Sequence, residues 1–190
     1  MRLLMNSLMA AALGVLLHAG AAQAFPTGWI HPGDMDARGF SMASSVPRQE
    51  VRYETNLPAG TIVISNSERR LYLVLGNNRA IRYGVGVGRP GFSWTGTNTI
   101  TMKREWPDWR PPASMRRRQP DLPTFMAGGP NNPLGARALY IGSTLYRIHG
   151  SNEPHTIGDA VSSGCIRMTN QDVEHLYERV RVGARVIVRN

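Results

Sequence analysis

The sequence predicts a mainly β fold with one short amphipathic helix near its end. Two observations carry this prediction. β-Branched and aromatic runs recur from residue 51 onward and are separated by turn residues, which is typical of strands joined by hairpins. Only one stretch, which begins near residue 169, spaces its apolar residues as a helix does.

The first three predicted strands follow one another closely. The runs "TIVIS" (61–65) and "RRLYLVL" (69–75) flank the turn "NSE", and "GNN" then leads into "RAIRYGVGVG" (79–88). In the last of these runs the apolar residues alternate at period two, as they do on a half-buried strand. Further strands are predicted at 137–142, 145–149 and 184–188.

The predicted helix has a recognisable beginning and end. Thr169 is a good N-cap, and Asp172 three residues later completes an arrangement like a capping box. An apolar stripe follows at helical spacing, formed by Val173, Leu176, Tyr177 and Val180. Gly183 is predicted to end the helix. His175 lies off the stripe, which predicts a solvated surface histidine.

Residues 104–135 contain many prolines and no periodic pattern. Proline removes backbone donors, so this stretch is not expected to form a regular helix or a central strand. An irregular segment of this length in a compact domain is usually functional or disordered. We expect an ordered lid or groove wall, anchored by Trp106 and Trp109.

The N-terminus has the pattern of an export signal. Arg2 is followed by an apolar run too short to span a bilayer, and a small-x-small pattern ends at Ala24. We expect removal of residues 1–24, a poorly ordered extension or linker at 25–54, and one domain at 55–190. A retained N-terminal anchor is the alternative. No later segment predicts stable membrane insertion, so the expected location is the periplasm.

The chain is strongly basic, with a formal net charge of +9, and nearly all of its positive charge is arginine. Arginine binds planar carboxylates and phosphates with a rigid fork. Export argues against nucleic acid as the partner. Carboxylate-bearing wall polymers and anionic lipid surfaces are better candidates, and a basic surface without a particular partner remains an alternative.

The only cysteine, Cys165, is the candidate nucleophile. An exported chain usually pairs its cysteines or lacks them, so a lone one indicates a reactive thiol. A thiol needs a nearby base, and His149 is favoured because it ends a strand and is followed by Gly150. His155 is the rival base. Neither a second cysteine nor helical ligand spacing is present, so no metal or cofactor is predicted.

The residues around Cys165 suit acyl chemistry. Gly164 allows the backbone to bend, so that N–H groups near Ser163, Gly164 and Cys165 can converge as an oxyanion hole. Arg167 projects to the same side as Cys165 if the chain is extended. There it would bind a substrate carboxylate or favour the thiolate.

The segment 147–188, "RIHGSNEPHTIGDAVSSGCIRMTNQDVEHLYERVRVGARVIV", resembles the L,D-transpeptidase catalytic domain. That family has a His-Gly, an Ile-Gly, a Ser-x-Gly-Cys-Ile/Val-Arg motif, a short helix and a closing strand in this order. The segment "NPLGARALYI" (132–141) and the strand pair from 61 to 88 are similar to it as well. The resemblance covers roughly residues 55–190 and implies a β-sandwich or barrel-like fold.

The resemblance also implies roles for individual residues. Cys165 matches the nucleophile, His149 the base, and the Gly150 carbonyl the group that orients the imidazole. Backbone N–H groups near Ser163, Gly164 and Cys165 match the oxyanion hole, and Arg167 matches the arginine near the substrate. Many members have His or Arg where this chain has Ser163, which makes a second-histidine role doubtful.

The implied reaction is acyl transfer in peptidoglycan. The cysteine attacks the meso-diaminopimelate carbonyl of a tetrapeptide stem, D-alanine leaves, and a second stem amine takes the acyl group to form a 3–3 cross-link. Water as acceptor would give an L,D-carboxypeptidase, and a protein amine would anchor that protein to the wall. A non-catalytic wall-binding module and a thiol redox protein are the readings from other classes.

Overall fold

The computed structural model describes residues 46–190, which form eleven strands and two α-helices. Residues 1–45, with the expected export signal and most of the expected extension, lie outside the described part of the chain. The strands are β1 Gln49–Arg52, β2 Ile62–Ser65, β3 Arg70–Gly76, β4 Arg79–Gly84, β5 Val87–Gly88, β6 Gly96–Glu105, β7 Arg137–Ile141, β8 Arg147–His149, β9 Ala160–Ser162, β10 Ile166–Arg167 and β11 Arg185–Arg189. The helices are α1 Ala113–Arg118 and α2 Asn170–Arg179.

Nine of these strands form one sheet in the order β1-β4-β3-β2-β11-β6-β7-β8-β10, and β5 pairs with β9 apart from it. β6 connects the two halves, because its first residues pair with β11 and its later residues pair with β7. The register shifts between Ile100 and Met102, where the strand changes partner. The mainly β fold predicted from the sequence is confirmed.

One apolar core joins both halves of the sheet to α2. It contains Ile62 and Leu71 from the first half, Leu139 and Ile148 from the second, and Leu176 from the helix. All five side chains are fully buried. Burial of a large aliphatic side chain contributes about 1.5–3 kcal/mol, so this cluster provides most of the driving force that closes the fold. The described residues contain no helix long and apolar enough to cross a membrane.

Helix α2 begins as the sequence predicts but ends earlier. The Thr169 hydroxyl accepts a hydrogen bond from the Asp172 backbone N–H at 3.2 Å. The helix stops at Arg179 rather than at Gly183, because Val180 is extended and buried in the core. Lys103 caps this end, since its ammonium donates to the Tyr177 carbonyl at 2.5 Å and to the Val180 carbonyl at 2.8 Å.

The proline-rich segment 104–135 is not free of helix, so that expectation was wrong. Helix α1 occupies one and a half turns between Pro112 and Pro120. Pro112 precedes the first helical residue, where a missing N–H costs nothing, and the helix ends before Pro120. No side chain of α1 is buried, so its three consecutive arginines face solvent or the neighbouring surface.

The contacts of segment 104–135 also differ from the expectation that Trp106 and Trp109 anchor it. The Trp106 side chain is 42% exposed, and only its backbone contributes, through its N–H to the Ala136 carbonyl. Trp109 pairs its backbone with Met126. Within the segment, the amide of the buried Asn132 side chain donates to the backbone carbonyls of Pro107, Met126 and Ala127, which ties these parts of the segment to one another.

The last residues of the predicted extension belong to the sheet. β1 pairs with β4, and Arg48 just before it binds the carboxylate of Asp172 at 2.8 Å. The Asp172 side chain is 6% exposed, so Arg48 supplies a counter-charge to a nearly buried carboxylate. This strand therefore ties the beginning of the described chain to α2.

His175 is not the solvated surface histidine that the helix pattern predicts. Its Nδ1 lies 2.8 Å from the Tyr83 hydroxyl, and Tyr83 is fully buried. Burial, with Arg48 and Arg179 adding to it, lowers the pKa of His175 to about 4. The neutral ring and the Tyr83 hydroxyl share a hydrogen bond, so His175 completes the hydrogen bonding of a buried core tyrosine.

Candidate active site

Two short parallel strands bring the sequence-predicted residues together. β8 and β10 pair so that Ile166 lies beside Ile148 and Arg167 beside His149. Ile148 and Ile166 are buried and point into the core. Because side chains alternate along a strand, Cys165, one residue before β10, and His149 share the opposite face.

The backbone fixes the orientation and the tautomer of His149. Its Nδ1 lies 2.6 Å from the carbonyl oxygen of Gly150, and a carbonyl only accepts. Nδ1 therefore carries the proton, and Nε2 has a free lone pair. Burial, with smaller contributions from Arg167 and Arg147, lowers the pKa of His149 to about 3, although the Gly150 hydrogen bond opposes this. The imidazole is neutral at physiological pH and is available as a base.

Cys165 is half-buried, and its thiol makes a long contact of 3.9 Å with the Leu145 carbonyl. Burial raises the pKa of the Cys165 thiol, and the backbone N–H and guanidinium of Arg147 oppose that shift together with Arg167. The resting pair is thus a neutral thiol and a neutral imidazole. A thiolate stabilised in the resting state, one of the two roles expected for Arg167, is not what this environment provides.

Arg147 lies beside Cys165 and His149 and was not predicted from the sequence. It precedes His149 by two residues on β8, so both side chains lie on the same face of the sheet. Its Nη1 donates to the Leu145 carbonyl at 3.0 Å, and its buried Nε has no partner among the described residues. The period-two spacing of Arg147 and His149 was the available signal.

Three of the hydrogen bonds that hold the loop before Cys165 involve the Ser162 hydroxyl or the Gly164 carbonyl. The Ser162 hydroxyl donates to the Cys165 carbonyl at 2.6 Å and accepts from the Gly164 N–H at 3.0 Å. The Trp94 indole donates to the Gly164 carbonyl at 2.9 Å. The Gly164 N–H is therefore engaged within the loop, which leaves the N–H groups of Ser163 and Cys165 as the better candidates for an oxyanion hole.

We expect Gly164→Ala to destabilise the protein. Gly164 has a φ of +111°, and a Cβ there would overlap the ring of Tyr146, which is stacked on Trp94 at 4.7 Å. Strain and overlap together should lower the free energy of unfolding by about 2–4 kcal/mol. Chemical denaturation measures this change.

Gly91→Ala is the matched control. Gly91 also has a positive φ, of +80°, but a Cβ there would meet nothing within 4 Å. It should therefore show only the backbone cost, about 1 kcal/mol. Equal destabilisation by the two substitutions would contradict the tight packing of Gly164.

Both the backbone and the side chain of Arg167 are held by neighbouring residues. Its backbone exchanges two hydrogen bonds of 2.9 Å with Gly86, and its guanidinium lies 3.2 Å from the Glu153 carboxylate. The side chain is 24% exposed, so it reaches the surface of the site without being fully hydrated. It lies beside His149 in the register, as extended geometry requires.

The rival base lies in a different environment. His155 is exposed on a one-turn 3-10 helix, Pro154–Thr156, and lines a surface pocket together with Arg69 and Asp159. Neither Cys165 nor His149 lines that pocket. Of the two histidines, only His149 lies on the strand that pairs with β10, next to Cys165. Within residues 46–190 no group of three or more His, Cys, Asp and Glu side chains is arranged to hold a metal ion.

A family model for the L,D-transpeptidase catalytic domain, named YkuD, matches residues 59–188. The Escherichia coli protein named "Probable L,D-transpeptidase YbiS" is 42% identical over 134 residues, which cover 66% of this chain and 43% of that protein. The Bacillus subtilis protein named "Putative L,D-transpeptidase YqjB" is 34% identical over 71% of this chain and 74% of its own length. The match thus spans less than half of the E. coli relative.

Solved structures agree in fold. An L,D-transpeptidase from Mycobacterium smegmatis superposes with a TM-score of 0.56 at 18% identity, over 68% of this chain and 58% of the other. A Brucella melitensis protein described as a carnitine operon oxidoreductase is 46% identical over 72% of this chain and 89% of its own, with a TM-score of 0.50. Given the extent of the family match, the chain belongs to the YkuD family of L,D-transpeptidase catalytic domains.

Proposed function

We propose that this protein is a peptidoglycan L,D-transpeptidase that uses Cys165 as its nucleophile. The observation that carries the proposal is the β8–β10 register, which puts Cys165 and His149 on one face while the Gly150 carbonyl holds Nδ1. This is the arrangement of nucleophile, base and orienting group that covalent acyl transfer requires. The membership of the family supports the same chemistry.

The first half-reaction forms a thioester. The Cys165 sulfur attacks the carbonyl carbon at the L-centre of diaminopimelate, and Nε2 of His149 takes the thiol proton. The carbonyl oxygen becomes an oxyanion, which the N–H groups of Ser163 and Cys165 would stabilise. Cleavage of the amide bond then releases D-alanine, whose amine takes the proton from His149.

The second half-reaction regenerates the enzyme. The amine of a second stem attacks the thioester carbonyl, His149 accepts a proton from that amine, and the C–S bond breaks. The thiolate that leaves recovers the proton from His149, so the resting neutral pair is restored. The product is a 3–3 cross-link.

The charges of the site favour the transition state over the resting state. In the resting pair neither group is charged, whereas attack creates negative charge beside Arg147 and Arg167. Their guanidinium groups interact with that charge only as it develops, which is the condition for lowering a barrier. Transfer of the proton to His149 is thereby coupled to carbon–sulfur bond formation.

Two other acyl acceptors are compatible with the same site. Two other classes of protein, a wall-binding module and a redox protein, fit it less well. Water would make the protein an L,D-carboxypeptidase, and a protein amine would attach that protein to the wall. A non-catalytic wall-binding module would lack the Cys–His pair, which is present. A dithiol redox protein would need a second cysteine, whereas the sequence contains a single cysteine. We also propose a periplasmic location, in keeping with the N-terminal export pattern.

The deciding experiment is incubation of the purified protein with disaccharide-tetrapeptides, followed by mass spectrometry of the products. Transpeptidation gives dimers that have lost one D-alanine, whereas hydrolysis gives tripeptides. Intact-mass measurement of the protein should also show a thioester adduct. If neither dimers nor tripeptides form and no adduct appears, the acyl-transfer proposal is wrong.

We expect Arg167→Lys to lower kcat/KM about 10-fold or more. Lysine keeps the positive charge but loses the planar fork that can hold Glu153 and still face a carboxylate or oxyanion. Steady-state kinetics with the tetrapeptide measure the effect. Arg179→Lys is the control, since Arg179 pairs with the exposed Glu178 on α2 and should tolerate the change. Full activity of Arg167→Lys would show that charge alone is sufficient there.

A further inference from the structure

Two arginines meet on one aromatic ring beside the loop that carries Cys165. The guanidinium carbon of Arg89 lies 4.1 Å from the centroid of the Phe92 ring, and that of Arg118 lies 5.2 Å from the same centroid. Arg89 also donates from Nη1 to the Ser163 hydroxyl at 3.3 Å. We name Arg89, Phe92 and Arg118 the double-arginine cluster.

The position of the cluster relative to Cys165 is fixed by backbone contacts. The Arg89 N–H donates to the Ser162 carbonyl at 3.0 Å. A Cβ on Gly88 would lie only 2.6 Å from the Phe92 carbonyl oxygen, so the chain before Phe92 is folded tightly on itself. These contacts place the backbone of Arg89 against the loop that precedes Cys165.

The charge of the cluster is not neutralised within the described residues. Arg167 and Arg137 each have a glutamate within 4 Å, but neither Arg89 nor Arg118 has a carboxylate partner in the part of the chain that the structure describes. Two guanidinium groups on one ring repel each other weakly in water and more strongly once a ligand excludes water. A carboxylate brought in by a ligand would supply the counter-charge that the described residues do not give these two arginines.

The two arginines come from separate parts of the chain. Arg89 follows β5, and Arg118 ends α1 in the proline-rich segment. Helix α1 buries no side chain, and its last arginine lies over the Phe92 ring. The proline-rich segment therefore contributes charge to one wall of the site.

We propose that Arg89 and Arg118 form a subsite for the side-chain carboxylate of diaminopimelate in the acyl donor. This inference rests on the proposed function and names what recognises the donor stem. Ser163, which contacts Arg89, lies two residues before Cys165, at most about 7 Å along the chain. The diaminopimelate side chain has a comparable reach from the reacting carbonyl, and arginine binds a carboxylate with two parallel hydrogen bonds.

The test compares two tetrapeptides that differ only in this carboxylate, one free and one as the carboxamide. Their dissociation constants are measured by calorimetry on the Cys165→Ala background, so that binding is read apart from turnover. Without further substitution, the free acid should bind about 10-fold more tightly than the carboxamide. Arg89→Gln and Arg118→Gln should each reduce that ratio to about 2 or less by weakening only the free acid.

Arg116→Gln is the matched control, because Arg116 is exposed on the same helix and has no contact with the Phe92 ring among the described residues. It should retain the 10-fold ratio. Equal binding of the two peptides before substitution, or an unchanged ratio in both Arg89→Gln and Arg118→Gln, would overturn the subsite. Failure of acyl transfer in the wild type is a separate result, since these binding ratios do not depend on turnover.

Discussion

Cys165→Ser is expected to abolish acyl transfer, with a loss of at least about 10⁴-fold in kcat/KM. A serine hydroxyl is far less acidic than a thiol, and burial holds the pKa of the His149 base at about 3. A base that accepts the proton of a thiol is much less able to remove the proton of a hydroxyl. The assay is release of D-alanine from the tetrapeptide, and intact mass after incubation with a carbapenem provides a second measurement.

The Ser variant is nearly isosteric, so its thermal unfolding midpoint should stay within a few degrees of the wild type. Because Cys165 is the only cysteine, labelling by iodoacetamide should disappear entirely in the variant. Wild-type protein should gain one carbapenem mass and the variant none. A covalent carbapenem adduct on the variant would mean that another residue is the nucleophile.

His149→Ala is expected to lower kcat by about 10²–10⁴-fold, which is the usual contribution of a positioned general base. The pH dependence identifies its role. A base works when it is unprotonated, so with a pKa of about 3 His149 remains competent as the pH falls from 7 to 5. Wild-type kcat/KM should therefore not decline over that range because of this histidine.

Alkylation of the Cys165 thiol tests whether His149 acts as a general base during turnover or as the partner of a resting thiolate. Burial and the arginines set the pKa of Cys165, so His149→Ala should leave the pH midpoint of iodoacetamide labelling near its wild-type value while turnover falls. Such a result indicates a base rather than a partner in a resting ion pair. The double variant with Cys165→Ser should be little worse than Cys165→Ser alone.

His155→Ala is the control for this experiment. His155 is exposed on its 3-10 helix and should keep kcat within about 2-fold, as is usual for surface substitutions. Loss of turnover in His155→Ala with full turnover in His149→Ala would reverse the assignment of the base. Circular dichroism and thermal unfolding of His149→Ala would show that the variant is folded.

Strand β6 shows why part of the fold was not visible in the sequence. Its ten residues, "GTNTITMKRE", are mostly exposed and lack an apolar alternation. The strand exists because both of its edges are paired, with β11 along the first residues and β7 along the later ones. Strand formation there depends on neighbours that are distant in the chain, and local pattern reasoning cannot detect them.

The same limit explains the errors at single residues. Trp106 was expected to anchor the proline-rich segment, but its side chain is exposed, and the buried Asn132 side chain ties parts of the segment to one another. His175 was expected in solvent, but Tyr83 from a distant strand lies against it. Burial of one side chain by another element is a tertiary property, whereas helical spacing only describes one face of one helix.

The sequence by itself determined the hairpin strands, the Thr169 cap, the apolar stripe of α2 and the choice of Cys165 and His149. Those features depend on local backbone chemistry and on which side chains can act as nucleophile and base. Only the tertiary structure decided the parallel register that places Cys165 and His149 on one face, and the charge state of the pair. Register depends on pairing between separate strands, and charge state depends on how far the surrounding protein excludes water.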